Sequence, residues 1–283
     1  MDDLLPSFYR ECNFKKLSKN AIINYQKAFK CYRRFYSELT IDNYLEWSDW
    51  LKDNYAPSSA NLYLMLLRAF ANWAYEEGEI SFKLPSVQIT PRPRKPQVID
   101  DQILAKLIEA TKRLDRPMAV RAELIIRLLL DTGIRKSELV GIKVKDIDFD
   151  DMSIQVTGKG EKPRFVYFGY RTARCLDRYL RIRKTFKHAH SDFLLLGQQG
   201  AIGGNGVRQI IFRICDLAKV PRINLHAFRH TFAHDWLASG GSDRDLMRVA
   251  GWSSDAMLSV YGSERADERA AGSHRRLSRG DRV

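Results

Sequence analysis

The sequence predicts a mainly α-helical protein of two domains, with a small β-hairpin in the second. Three observations predict it. Apolar residues recur at three and four positions over most of the chain, which is the helical period. That period gives way to strict alternation only between Ser153 and Phe168. A proline-rich break from Leu84 to Asp100, with four prolines and three basic residues, separates the two parts. The 283 residues, 45% of them hydrophobic, suffice for two well-packed domains.

In chain order, Ala21, Ile22, Tyr25, Ala28, Phe29, Tyr32, Phe35, Tyr36 and Leu39 predict a helix from Ser18, its N-cap, to Leu39. A second helix follows Thr40 and runs from Ile41 to about Asp53. A third spans Pro57–Glu77, with Pro57 in its first turn, Leu62, Leu66, Phe70 and Trp73 on one stripe, and Gly78 past its end. Lysines and arginines between Lys15 and Arg34 suit a DNA backbone and equally a solvated helix face. Beyond the break, Asp100 or Asp101 caps a helix reaching Lys112, and Met118–Asp131 reads as a buried helix ended by Gly133. Arg135 follows at a helix-to-helix turn. SIQVT and RFVYF around the turn GKGEKP predict the hairpin, with Lys159 at its tip. Helices near residues 171–187, 204–219, 225–239 and 242–250 complete the reading. The domain boundaries expected are 1–84, a linker 85–99, 100–262, and a polar basic tail 263–283.

Net charge is +13, and its distribution is informative. Residues 1–90 carry 11 Lys and Arg against 11 Asp and Glu, and residues 91–283 carry 36 against 23. A basic surface of this kind attracts nucleic acid through counterion release. Arg92, Arg94 and Lys95 in the linker suit a strap along a duplex, or a plain connector. The chain contains no run of about 18 apolar residues and no secretory-type amino terminus, which points to a cytoplasmic, nucleoid-associated protein without membrane contact. Cys12, Cys31, Cys175 and Cys215 lack metal-type spacing and are expected as buried free thiols.

One set of residues suits a phosphodiester. Arg135 and Arg229 offer planar forks matched to phosphate oxygens. Lys159 and His226 can pass protons, and Tyr261 can attack as a covalent nucleophile. His226 and Arg229 stand three apart on a helix, hence on one face. His226, His230 and His234 recur every four residues, which invites a metal, but no carboxylate or cysteine motif completes a site. His230 and His234 are therefore read as structural histidines, and no metal is expected.

The motifs GIRKSEL (133–139), GKG (158–160), LHAFRHTFA (225–233) and AGWSSDAMLSVY (250–261) resemble, in order and spacing, those of the tyrosine recombinase (phage integrase) family. The resemblance spans about residues 98–262. It implies a C-shaped, two-domain DNA clamp, with a helical core-binding domain ahead of a mixed α/β catalytic domain. It also implies that Arg135 and Arg229 hold the scissile phosphate and that Tyr261 attacks phosphorus to give a 3′-phosphotyrosyl link. Lys159 then protonates the departing 5′ oxygen, His226 assists proton transfer, Trp252 buttresses the site, and Glu138 orients Arg135. Lys162 and Arg164, on the hairpin, join Arg92, Arg94 and Lys95 as expected DNA contacts. Neither metal nor nucleotide cofactor is implied.

What the resemblance implies is a site-specific recombinase that is monomeric when free and tetrameric on double-stranded DNA, exchanging strands through a Holliday junction. An accessory or directionality protein is a further expected partner. The absence of an additional amino-terminal domain favours a simple recombinase over an integrase with an arm-binding module. A type IB topoisomerase-like enzyme and a catalytically silent DNA-binding regulator are the alternatives. The tail GSERADERAAGSHRRLSRGDRV departs from the family pattern. Its only large apolar residues are Leu277 and Val283, so a helix from Ser263 to Ala271 offers little face for a neighbouring subunit.

Overall fold

The computed structural model describes residues 1–90, 97–157, 163–252, 258, 271–272, 274–275, 278 and 280, and divides into two units, Met1–Arg94 and Lys95–Val283.

In the first unit a short 3-10 turn, Asp2–Leu4, leads into α1 (Leu5–Phe14), followed by α2 (Lys19–Tyr32), α3 (Ile41–Asn54) and α4 (Pro57–Glu76). The Ser18 hydroxyl accepts from the Ala21 amide, as expected of an N-cap, and the Thr40 hydroxyl caps α3 by accepting from the Asn43 amide. Trp47, Tyr32, Tyr44, Phe29 and Phe70 are fully buried at the centre. Each such side chain contributes roughly 1.5–3 kcal/mol of burial free energy. The pattern reading misses α1. Its signals are Pro6 in the first turn and the pair Phe8 and Cys12, both buried; Phe8 packs edge-on against Phe70 with ring centres 5.1 Å apart.

Helix α2 ends at Tyr32 rather than Leu39. The periodic residues beyond it are satisfied another way. Phe35 packs on Trp50 at 4.6 Å and Tyr36 on Tyr32 at 5.3 Å. The Tyr32 hydroxyl and the Asn43 amide both donate to the Glu38 carbonyl, closing the turn. After Gly78 (φ +77°) the chain runs without regular structure. It is held where the Asn61 side chain bonds both the N–H and the carbonyl of Ile89.

The second unit is built around α6 (Arg116–Thr132), whose Leu124, Ile125, Ile126, Leu128 and Leu129 are buried. Before it lies α5 (Asp101–Thr111), capped by Asp100. After it come α7 (Lys136–Gly141), a 3-10 turn, and a three-stranded antiparallel sheet of β1 (Ile147–Asp148), β2 (Ser153–Thr157) and β3 (Pro163–Tyr167). Register runs from Ser153 opposite Tyr167 to Thr157 opposite Pro163, so Ile154, Val156 and Val166 face the core. Strand β1 escapes the sequence reading because two residues are too few to show alternation.

Helix α8 (Tyr170–Arg183) packs on α6; then come a two-stranded ribbon of β4 (Leu196–Gly197) and β5 (Gly200–Ala201), α9 (Gly204–Ala218), α10 (Leu225–Ala238) and α11 (Asp243–Ala250). Helix α8 stops before residue 187 because the buried Arg183 turns to donate to the carbonyls of Ala189, Ser191, Phe193 and Leu194, shaping the loop that follows. All four cysteines are buried and free. Among the described residues no helix is long and apolar enough to cross a membrane.

Candidate functional site

The site is assembled at the end of α11. An α-helix leaves its last carbonyls without intrahelical donors and carries partial negative charge there. Here Gly251, in the left-handed region at φ +65°, turns the chain so that the Gly251 amide bonds the Arg248 carbonyl and the Trp252 amide that of Met247. The next three carbonyls each receive an arginine. Arg164 donates to Val249 at 3.0 Å, Arg229 to Ala250 at 2.6 Å and Arg135 to Gly251 at 2.6 Å. Residues separated by more than a hundred positions thus meet within one helical turn.

Arg135 is placed by the end of α6. Gly133 adopts φ +55°, and a Cβ there would lie 2.3 Å from the Phe232 ring. Glycine alone allows both the turn and the close approach. Thr132 fixes the same corner by accepting from the Ile134 amide. Arg135 is then the N-cap residue of α7, its amide donating to the Glu138 carboxylate at 2.8 Å and its Nη1 at 3.0 Å. Its side chain stays 35% exposed, against 2% for that of Glu138.

Glu138 also receives both terminal nitrogens of Arg164. Burial alone would push its carboxyl up; the hydrogen bonds from Arg164 and Arg135 outweigh burial and hold it below the usual carboxylate range. Arg164 therefore departs from the expected DNA contact. Its guanidinium is committed to Glu138 and the Val249 carbonyl, with the side chain only 13% exposed. The alternation of the strand already implies this: two residues from the buried Val166 and on the same face, Arg164 points inward.

Arg229 and His226 come from α10, whose N-cap Asn224 accepts from the His226 amide. Arg229 is buried at 3% exposure, its Nη1 on the Gly133 carbonyl at 2.6 Å. Its Cζ lies 5.4 Å from the centre of the Trp252 ring, which is itself 8% exposed. His226 is exposed and packs edge-on against His230 at 4.5 Å. Although the residue is exposed, partial burial of its ring, then the charges of Arg229 and Arg135, lower the His226 pKa, so the imidazole is neutral at neutral pH. Burial and the neighbouring His226 and Arg229 push His230 down to about 4. His234 bonds Asp235. Among the described residues no group of His, Cys, Asp and Glu is arranged to hold a metal. The linker enters beside the same helix, the Ile99 amide donating to the Thr231 hydroxyl at 2.9 Å.

Five of the twelve expected site residues are thereby brought together: Arg135, Glu138, Arg164, Arg229 and Trp252, with His226 nearby. Lys159 and Lys162, the linker residues Arg92, Arg94 and Lys95, and Tyr261 lie outside the described residues, as does most of the Ser263–Ala271 segment.

Comparison with known proteins adds sequence relatives and structural neighbours. The model of the phage integrase family matches residues 97–268. Tyrosine recombinase XerC of Staphylococcus haemolyticus is 37% identical over 173 residues, which is 59% of this chain and 58% of that protein. XerC of Corynebacterium glutamicum is 29% identical over 198 residues, 69% of this chain and 64% of that protein. The chain thus spans under two thirds of the length of these relatives. Among solved structures, the Tn1549 transposon integrase in complex with transposon right end DNA superposes with a TM-score of 0.78 at 18% identity, covering 96% of this chain and 98% of that one. A lambda integrase dimer bound to a COC′ core site gives 0.74 at 17% identity, covering 94% and 96%. At these identities the likeness is one of fold.

Proposed function

The chain belongs to the phage integrase family, and on that premise we propose that it is a site-specific DNA recombinase that cuts and rejoins strands through a 3′-phosphotyrosyl intermediate. The observation that carries this reading is the meeting of Arg135, Arg229 and Trp252 around the last carbonyls of α11, immediately ahead of the segment that bears Tyr261. Fixed arginine donors stabilise charge that develops on a phosphoryl group, typically by about 3–4 kcal/mol each. In the proposed reaction Tyr261 Oη forms a bond to phosphorus as the bond to the 5′ oxygen breaks. Lys159 gives that oxygen its proton, leaving a 5′-hydroxyl. A neutral His226 is suited to receive the tyrosine proton, in line with its lowered pKa. The phosphodiester energy is kept in the tyrosyl ester, so rejoining is the reverse step.

The reading extends to the rest of the chain. Residues 1–84 act as the core-binding domain, 85–99 as a DNA-following linker using Arg92, Arg94 and Lys95, and 100–262 as the catalytic domain. Lys162 contacts DNA from the hairpin. The surplus of 36 basic over 23 acidic residues in positions 91–283 supports a duplex as the partner. A tetramer on paired DNA sites, a mobile-element context, an accessory protein and a cytoplasmic location belong to the same proposal. Among the proteins it resembles, XerC is named a tyrosine recombinase, and the Tn1549 and lambda proteins are integrases bound to DNA.

The test is to incubate the protein, in chelator, with nicked suicide duplexes made from DNA flanking its own gene, and to look on a denaturing gel for a covalent protein–DNA band. A band with sequence preference that disappears in Tyr261→Phe is expected. A band without sequence preference would favour a topoisomerase. Tight, salt-sensitive binding with no band on any duplex would favour a DNA-binding regulator.

A further inference from the structure

We propose that Arg164 is a positioning residue for strand cleavage, acting through Glu138 to fix the fork of Arg135 that meets the scissile phosphate. The inference rests on the recombinase reading given above.

The geometry leaves Arg164 little other role. All three of its guanidinium nitrogens are occupied: Nη1 and Nη2 each take one oxygen of Glu138, and Nε takes the Val249 carbonyl. Glu138 is saturated in turn. One of its oxygens accepts from Arg135 Nη1 and Arg164 Nη1, the other from the Arg135 amide and Arg164 Nη2. With Arg164 filling one side of the carboxylate, Arg135 is confined to the other, where its Nη2 reaches the Gly251 carbonyl and a third of its side chain stays open to solvent. Two arginines against one carboxylate leave a unit of positive charge, which a phosphate would balance. Three elements, α7, β3 and the end of α11, are tied by this one side chain. Gly251 makes the room, since a Cβ there would stand 2.9 Å from Arg164 Nε. A lysine would keep the charge but not the fork on which the arrangement depends.

Single-turnover cleavage of the suicide duplex tests the proposal, alongside a DNA-binding isotherm and a thermal melt. Arg164→Gln should slow cleavage by about 100-fold, the scale of a catalytic group displaced by an ångström, while DNA affinity changes by less than about threefold. The decisive comparison uses a duplex with a methylphosphonate at the scissile position, where the lost oxygen charge reduces the demand on Arg135. There the loss should shrink to less than about fivefold. Arg164→Lys, which preserves the charge balance around Glu138, carries the same comparison if the glutamine variant does not fold. An equal loss on phosphate and methylphosphonate would assign Arg164 a purely structural role and overturn the proposal. So would a wild-type rate, or a loss of affinity matching the loss of rate. A wild-type protein that forms no adduct would remove the recombinase reading itself, and the inference with it.

Discussion

The guanidinium carbon of Arg229 lies 5.4 Å from the centre of the Trp252 ring, while its two terminal nitrogens are fixed on the carbonyls of Gly133 and Ala250. A buried arginine held this way arrives at the transition state already oriented. Trp252→Phe retains an aromatic face and should slow cleavage by about three- to tenfold, the scale of a weakened cation–π contact. Trp252→Ala opens a cavity as well and should destabilise the second unit by about 3–5 kcal/mol. Chemical denaturation and single-turnover cleavage separate the two effects. Equal stability of the two variants would contradict the buttressing role.

Arg135 and Arg229 should fail differently. Arg135 is a third exposed and Arg229 is buried. Arg135→Ala should lower cleavage by about 100- to 1000-fold with DNA affinity nearly kept and stability changed by about 1 kcal/mol. Arg229→Ala should lose a similar rate and in addition about 2–4 kcal/mol of stability, because two buried carbonyls lose their donors. Melting curves of the two variants check this, and a greater destabilisation by Arg135→Ala would contradict the observed burial.

Gly133 is the corner on which Arg135 turns. Alanine there would sit at positive φ and meet the Phe232 ring at 2.3 Å. The strain and the collision together should cost about 2–4 kcal/mol, and cleavage should fall more than stability accounts for. An unchanged melting temperature for Gly133→Ala would show the corner to be pliant.

The pH dependence follows from His230, held at about 4 in the folded protein against 6.5 ordinarily. Between those values the unfolded chain binds a proton that the folded one refuses. Stability is therefore fully present above pH 6.5 and is lost as pH falls toward 4. Discounted for partial exposure, the contribution is about 1–2 kcal/mol. Denaturation midpoints at pH 4.5 and 7 should converge in His230→Asn relative to wild type. An unaltered difference between the two pH values would rule His230 out as the group responsible.

Much of this fold was legible because helices announce themselves through period and caps: Ser18 and Asp100 both accept amides as the N-caps of their helices. The early stop of α2 was not legible, since the rings of Phe35 and Tyr36 find aromatic partners, Trp50 and Tyr32, in a folded-back turn as readily as in a helix. The four motifs marked the side chains around α11 but not their acceptors. The carbonyls of Val249, Ala250 and Gly251 belong to the backbone and leave no trace in residue identity. Arg164 was misassigned by its charge, although the alternation that identified the hairpin already put it on the face of Val166.

The central claim is that one tyrosine, Tyr261, carries the DNA strand by its 3′ phosphate. The most direct measurement is proteolysis of the trapped protein–DNA complex followed by mass spectrometry of the nucleotide-bearing peptide. The expected product is a peptide containing Tyr261 esterified to a 3′ phosphate, with a free 5′-hydroxyl on the released strand. Attachment at any other residue, or through a 5′ phosphate, would contradict it.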